Sequence, residues 1–168
     1  NVPYHPEHWA PVSLEGYKDG DFAMTVGYPG TTNRYLSSYG IKQRRDIENT
    51  SRIQVRDIKL AILKKYMDAS EKTRIQYEDS YVGSANYWKN SIGMNKCIDS
   101  IGLIRQKAEY EAKIRAWLSN PKNKNSATDV DFALLEQLYN RNAPLAHAIG
   151  YWQESFWKNS EFLTRAIK

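Results

Sequence analysis

The stretch VRDIKLAILKKYM, Val55 to Met67, determines the class of architecture. Val55, Ile58, Ile62 and Tyr66 recur at helical spacing, so they form one apolar stripe on a 3.6-residue period. Leu60, Leu63 and Met67 widen it, and a helix buried on more than one side is expected. The two-residue alternation of a half-buried strand is absent here.

Toward the C-terminus the helical period persists. Asp68-Ala69-Ser70-Glu71 reads as a break and a new N-terminus. A second helix carries Tyr81, Ala85, Trp88 and Ile92 inward, and Gly93 is expected to weaken its end. A third is expected from about Asn95 to Leu118, with Ile101, Ile104, Ala108 and Ala112 on one face and Leu103, Tyr110, Ile114 and Trp117 beside it. Asn120 to Asp129 is a polar loop, and Thr128 or Asp129 is placed to cap the next helix. That helix brings Phe132, Leu135, Leu138 and Tyr139 inward. Asn142-Ala143-Pro144 is expected to interrupt it, with Pro144 in the first turn of a last helix bearing Ile149, Trp152, Phe156 and Leu163. Long helices joined by short loops pack side by side. The expectation is a mainly α fold, an antiparallel helical array over residues 42–168.

Toward the N-terminus the composition changes. Residues 1–41 hold four of the six prolines. In Asp21 to Val26, Phe22, Met24 and Val26 alternate with Ala23 and Thr25, the pattern of a largely buried strand. Tyr28-Pro29-Gly30 makes a turn, and RYLSSYGI, Arg34 to Ile41, reads as a second short strand. A segment this small cannot bury a core of its own. Residues 1–41 therefore read as a short β remnant of a domain whose other strands lie elsewhere.

The chain has 168 residues and a formal net charge of +5, with acidic residues interspersed among the basic ones. A nucleic-acid binder concentrates Lys and Arg on one face. The densest cluster, Lys42 to Asp57, reads as a solvated helix face, and no nucleic-acid partner is expected. No run approaches the roughly 20 apolar residues of a membrane span. NVPYHPEHW has neither the basic nor the apolar part of a signal peptide, and without an initiator Met the chain reads as an excised or processed piece.

Little points to chemistry within the chain. HPEH places His5 and His8 three apart, but Pro6 argues against a helical metal pair. His147 lies near an apolar helix face, and Cys97, the single cysteine, reads as a small buried apolar group. Glu109, Glu111 and Lys113 look like a solvated face. No nucleophile elbow, phosphate loop or zinc helix motif occurs. No catalytic residue, metal ligand or cofactor is assigned.

SANYWKNS, Ser84 to Ser91, is the exception. It stacks Asn86 and Asn90 one turn apart beside the inward face of the second helix. Asn is a poor helix-interior residue because its amide competes for backbone hydrogen bonds. Two such amides either bond across a helix interface or point into a cleft. In a cleft, the neutral amide oxygen accepts from a ligand ammonium.

DGDFAMTVGYPGTTNRYLSSYG and SANYWKNSIGMNK, with QVRDIKLAILKKYM between them, resemble the bacterial serine dipeptidyl peptidase family that contains dipeptidyl peptidases 7 and 11. The resemblance spans nearly the whole chain. It implies that the β remnant belongs to a chymotrypsin-like double barrel and that the helices are the first part of a helical domain inserted in it. It implies an internal fragment of an exopeptidase that releases dipeptides from peptide N-termini, with the Ser, His and Asp of the triad outside this chain. It assigns Asn86, in preference to Asn90, to the substrate's free α-amino group, and Trp88 to the cleft wall. It further implies peptide substrates with a free N-terminus and the periplasm or cell surface of a Gram-negative bacterium. Apolar surface normally covered by missing parts would favour a homodimer. The alternative from the residues alone is a stand-alone helical module that binds a protein partner without catalysis.

Overall fold

The computed structural model of the chain describes residues 2–24, 26–28, 30–123, 131–157 and 160. It divides into two units, Asn1–Asn33 and Arg34–Lys168.

In the first unit the described residues are exposed and form neither helix nor strand, with a turn at Asp19-Gly20. Gly20 takes φ +93, and the backbone N–H of Lys18 donates to Asp21 Oδ2 at 2.7 Å. Phe22, Met24 and Val26 are all exposed. The expected strand is not formed among the described residues. A strand requires the N–H and C=O groups of a neighbouring strand, and no described segment supplies them. Thr25 and Pro29 lie outside the described residues.

The second unit is helical. Its first element is α1, Ser38–Gln43. This corrects the second expected strand, since Ser38 to Ile41 wind as helix. Ser37 is the N-cap, its Oγ accepting from the Gly40 N–H at 3.2 Å. Serine before a helix serves this purpose. A carboxylate arrives from elsewhere as well: Glu111 Oε1 accepts from the Ser38 N–H and Oε2 from the Ser38 hydroxyl, both at 2.6 Å. Glu111 is buried, not solvated.

A π-helical turn, Arg44–Asn49, leads from α1 into α2, Thr50–Ala69. The Arg45 carbonyl in the wide turn accepts from Thr50 Oγ1 at 3.0 Å and from Asn95 Nδ2 at 3.2 Å. α3 follows at once as Glu71–Ser100, capped by the Ser70 hydroxyl. The break at Ser70 is where the sequence places it. Gly93, however, does not end α3. One exposed glycine costs a helix about 1 kcal/mol, too little against a packed face. The helix stops at Gly102, whose φ of +60 is the left-handed conformation that closes helices. The third expected helix thus starts at Leu103, not Asn95, and α4 is Leu103–Leu118. A short 3₁₀ turn, Pro121–Asn123, follows. The expected caps Thr128 and Asp129 lie outside the described residues, as does Leu163. The observed cap of α5 is Asp131, whose Oδ1 accepts from the N–H groups of Ala133 and Leu134, each at 2.9 Å.

α5, Phe132–Trp152, runs straight through Pro144. The expected interruption does not occur. Proline removes one backbone bond, to the Asn140 carbonyl, and both residues are exposed, so water can satisfy that oxygen. A second π turn, Gln153–Trp157, extends α5.

The packing follows a seven-residue spacing. Along α2 and the residue before it, Asn49, Ile53, Arg56, Leu60, Leu63 and Met67 turn inward. Along α3, Tyr77, Tyr81, Ser84, Trp88, Ser91, Asn95 and Ile98 do the same. Alternating steps of four and three are the seam of paired helices. Asn49 and Asn95 sit at one end, with Asn49 Nδ2 donating to Asn95 Oδ1 at 2.7 Å. An asparagine pair at a seam, here the buried Asn49 with the half-buried Asn95, fixes register. The stripe read from the sequence in α2 lies on roughly the opposite side: Ile58, Ile62 and Tyr66 are exposed. In α5, Leu138, Ile149 and Trp152 are also exposed, as is Phe156 in the π turn after it, while Phe132, Leu135 and Tyr139 are half-buried. Polar residues share the inward positions with apolar ones. In α4, Glu111 takes the central one, and Tyr110 and Trp117 face outward.

Glycine allows two close approaches to α5. A Cβ on Gly40 would lie 2.8 Å from the Tyr139 hydroxyl, and one on Gly150 would lie 2.8 Å from Ser51 Oγ. Ser51 is fully buried and has nowhere to move. Gly150→Ala should therefore destabilise the protein by about 1–3 kcal/mol in urea unfolding, and adding Ser51→Ala should recover most of that loss.

Candidate functional site

The candidate site is the α3 turn from Ser84 to Asn90. Its backbone is ordinary helix, and its neighbours on α2 give it its particular setting. Arg56 comes from an inward α2 position and is buried, as is Glu154 in the terminal π turn. Arg56 Nε donates to Glu154 Oε2 at 2.8 Å, and Arg52 Nε donates to Glu154 Oε1 at 2.9 Å. Each arginine then reaches α3. Arg56 Nη1 donates to the Ser84 carbonyl at 3.1 Å, and Arg52 Nη1 donates to Ser91 Oγ at 3.2 Å. Serine at both seam positions leaves room for the guanidinium groups. Arg56 also lies over the Tyr87 ring, 5.1 Å from its centroid, a cation–π contact. Next in sequence, Asp57 accepts from the Trp88 indole N–H at 2.6 Å.

These contacts place the three residues singled out from the sequence. Asn86 and Asn90 are exposed, and neither side chain makes a hydrogen bond with the described residues. They do not bridge a helix interface among the described residues. Trp88 is half-buried, its polar edge occupied by Asp57. Asn86 therefore projects from a turn that is gripped at Ser84, Tyr87 and Trp88.

Sequence reasoning missed Arg56, Asp57 and Glu154. The cluster Lys42 to Asp57 read as a solvated face, yet its Arg56 is among the most buried side chains of the unit. The available signal was position: Arg56 falls four residues before Leu60 and eleven before Met67, on their side of α2. Cys97 is exposed, not a buried apolar group. His5 and His8 are exposed in the first unit, and His147 is exposed on α5 against the Tyr151 ring, with centroids 4.8 Å apart. Among the described residues, no group of three His, Cys, Asp or Glu side chains is placed to hold a metal ion, and no helix is long and apolar enough to cross a membrane.

Beside the ion pair, Arg44, Glu48, Arg52 and Glu154 line an open cleft of about 300 Å³. Its charges satisfy one another. Burial alone would raise the Glu48 carboxyl, but hydrogen bonds from Arg44 and Gln43 and the nearby Arg52 outweigh it and hold the group below its ordinary 4.5. Arg45 bonds to Asp46 at 2.6 Å and Asp99 at 2.7 Å, and these contacts hold its guanidinium firmly charged.

The profile of the family described as Peptidase S46 matches residues 1–168. The chain is 42% identical to the dipeptidyl-peptidase 7 of Porphyromonas endodontalis over 166 residues, which is 99% of this chain and 20% of the relative. It is 43% identical to the dipeptidyl-peptidase 7 of Porphyromonas gingivalis over 162 residues, covering 96% of this chain and 22% of that protein. Against the Asp/Glu-specific dipeptidyl-peptidase of Capnocytophaga gingivalis it is 35% identical over 168 residues, all of this chain and 24% of the relative. The chain belongs to the Peptidase S46 family. It spans about a fifth of the length of the curated relatives that it matches. A match from end to end disfavours the stand-alone interaction module.

Two outcomes follow from the buried charges. Arg56→Ala should cost about 3–5 kcal/mol, because it leaves Glu154 buried beside a lost partner, measured by denaturant unfolding. For Glu48 the sign is set by its lowered folded-state value. Between that value and 4.5 the unfolded chain binds more protons, so stability falls as pH drops through this window. Thermal unfolding from pH 5 downward should show a shallower loss in Glu48→Gln than in the unsubstituted protein.

Proposed function

We propose that the chain is part of a serine exopeptidase that releases dipeptides from peptide N-termini, and that its helices cap the substrate cleft. Asn86 is the residue that meets the substrate's terminal ammonium. Asn90, one turn on, is the second choice, and Trp88 forms part of the cleft wall. The supporting observation is the exposed Asn86 amide on a turn fixed at Ser84, Tyr87 and Trp88, in a chain of the Peptidase S46 family. The names of the relatives support the dipeptide-releasing activity.

The chemistry is consistent with that role. A peptide's free N-terminus carries three N–H donors and needs acceptors. An amide oxygen accepts without adding a fixed charge, so it leaves the field at the reacting carbonyl almost unchanged. Closing the cleft just beyond the ammonium sets the distance to the scissile bond, and the enzyme then removes two residues at a time instead of cutting internally. The triad of Ser, His and Asp is assigned to parts of the polypeptide outside these 168 residues, as is the double barrel to which residues 1–41 would belong. No cofactor is required. The periplasm or cell surface of a Gram-negative bacterium is the proposed location, and self-association into a homodimer is the proposed assembly.

Asn86→Ala in the full-length enzyme tests the reading. A hydrogen bond to a charged group contributes about 1.5–3 kcal/mol, so kcat/KM on dipeptidyl substrates should fall roughly ten- to a hundredfold, with the helical content unchanged by circular dichroism. Unaltered kinetics would remove Asn86 from the site.

A further inference from the structure

We propose that Asp57 and Arg56 are positioning residues for Asn86, holding the α3 turn that carries it at the points on either side. The inference rests on the reading that Asn86 meets the substrate ammonium. Arg56 bonds to the Ser84 carbonyl at 3.1 Å and stacks on Tyr87. Asp57 takes the Trp88 indole N–H at 2.6 Å. The grips fall two residues before Asn86, one after it and two after it.

The need for such a device follows from the length of α3. Its 30 residues make a rod of about 45 Å, and long helices bend gently. Asn86 lies near its middle, exposed, with no hydrogen bond of its own to the described residues. A hydrogen bond to an ammonium weakens steeply outside a narrow range of distance and angle, so a small drift of the rod would detune it.

Asp57 is the more telling member. It is exposed, and the apolar seam with the buried Arg56–Glu154 pair already joins α2 to α3. Its bond to Trp88 adds little to that union, but it sets the rotation of the turn next to Asn86.

The test uses the full-length polypeptide and dipeptidyl substrates with a free α-amino group. Asp57→Ala should raise KM about tenfold, given that misplacement of about 1 Å can cost a hundredfold, with kcat within about twofold. The melting temperature should stay essentially constant, since an exposed side chain is lost. Asp57→Asn retains the accepting oxygen and should restore KM. Arg56→Lys keeps the charge beside Glu154 but loses the reach to Ser84, and where it folds it should also raise KM. Added to Asn86→Ala, Asp57→Ala should have no further effect. An unchanged KM in Asp57→Ala, or the same rise on the Asn86→Ala background, overturns the positioning role and leaves Asn86 in place. If Asn86→Ala is itself silent, the substrate contact falls and the positioning role falls with it.

Discussion

The Arg56–Glu154 ion pair holds the helical unit together. It joins the terminal π turn to α2, and through the Ser84 carbonyl it joins both to α3. Two charges withdrawn from water carry a desolvation cost of several kcal/mol each. That cost is offset here by directed hydrogen bonds from the Nε and Nη1 atoms of both arginines. Glu154 receives both arginines, one on each oxygen, and the Nη1 of Arg56 and of Arg52 turn to Ser84 and Ser91. The small seam residues of α3 follow from this. Larger apolar side chains at 84 and 91 would displace the guanidinium groups from their partners.

The same logic recurs at the other end of the unit. Glu111 is buried and uses both oxygens to receive the start of α1. Asn49 and Asn95 bond across the α2–α3 seam, and the Asn49 oxygen has no hydrogen-bond partner among the described residues. Buried polar groups must meet partners in one arrangement, whereas leucines slide past one another at little cost. This unit is held by few apolar side chains and many directional bonds, so its geometry is tightly specified.

That choice explains what could be read in the sequence. Helical class was legible because the 3.6-residue period is strong from Val55 onward, and the break at Ser70 because a capping serine marks it. The inward faces were legible from apolarity only in part: Leu60, Leu63 and Met67 in α2 and Tyr81, Ala85 and Trp88 in α3 do turn inward. Ile58, Ile62 and Tyr66 form a clean stripe, yet the packed side of α2 is the one bearing Arg56. A reading that treats arginine and glutamate as solvent-facing misses Arg56 on the packed side of α2 and Glu111 in α4. The N-terminal strands were unreadable for another reason. Alternation reports what a strand would bury, but the ladder requires a partner that no described segment provides. Asn86 stood out because two amides in a helix conflict with local preference, while its supports, Arg56 and Asp57, were hidden inside an ordinary-looking charged run.

The wide turn at Arg44–Asn49 sets the phase between two interfaces. A π turn is an α-helix with one extra residue lodged in it. It acts as a phase shifter between two interfaces: α1 is aimed at Glu111 and Tyr139, while α2 is aimed at α3. Deleting a single residue there would restore regular winding and swing α1 by roughly 100° about the helix axis, carrying Ser38 away from its carboxylate.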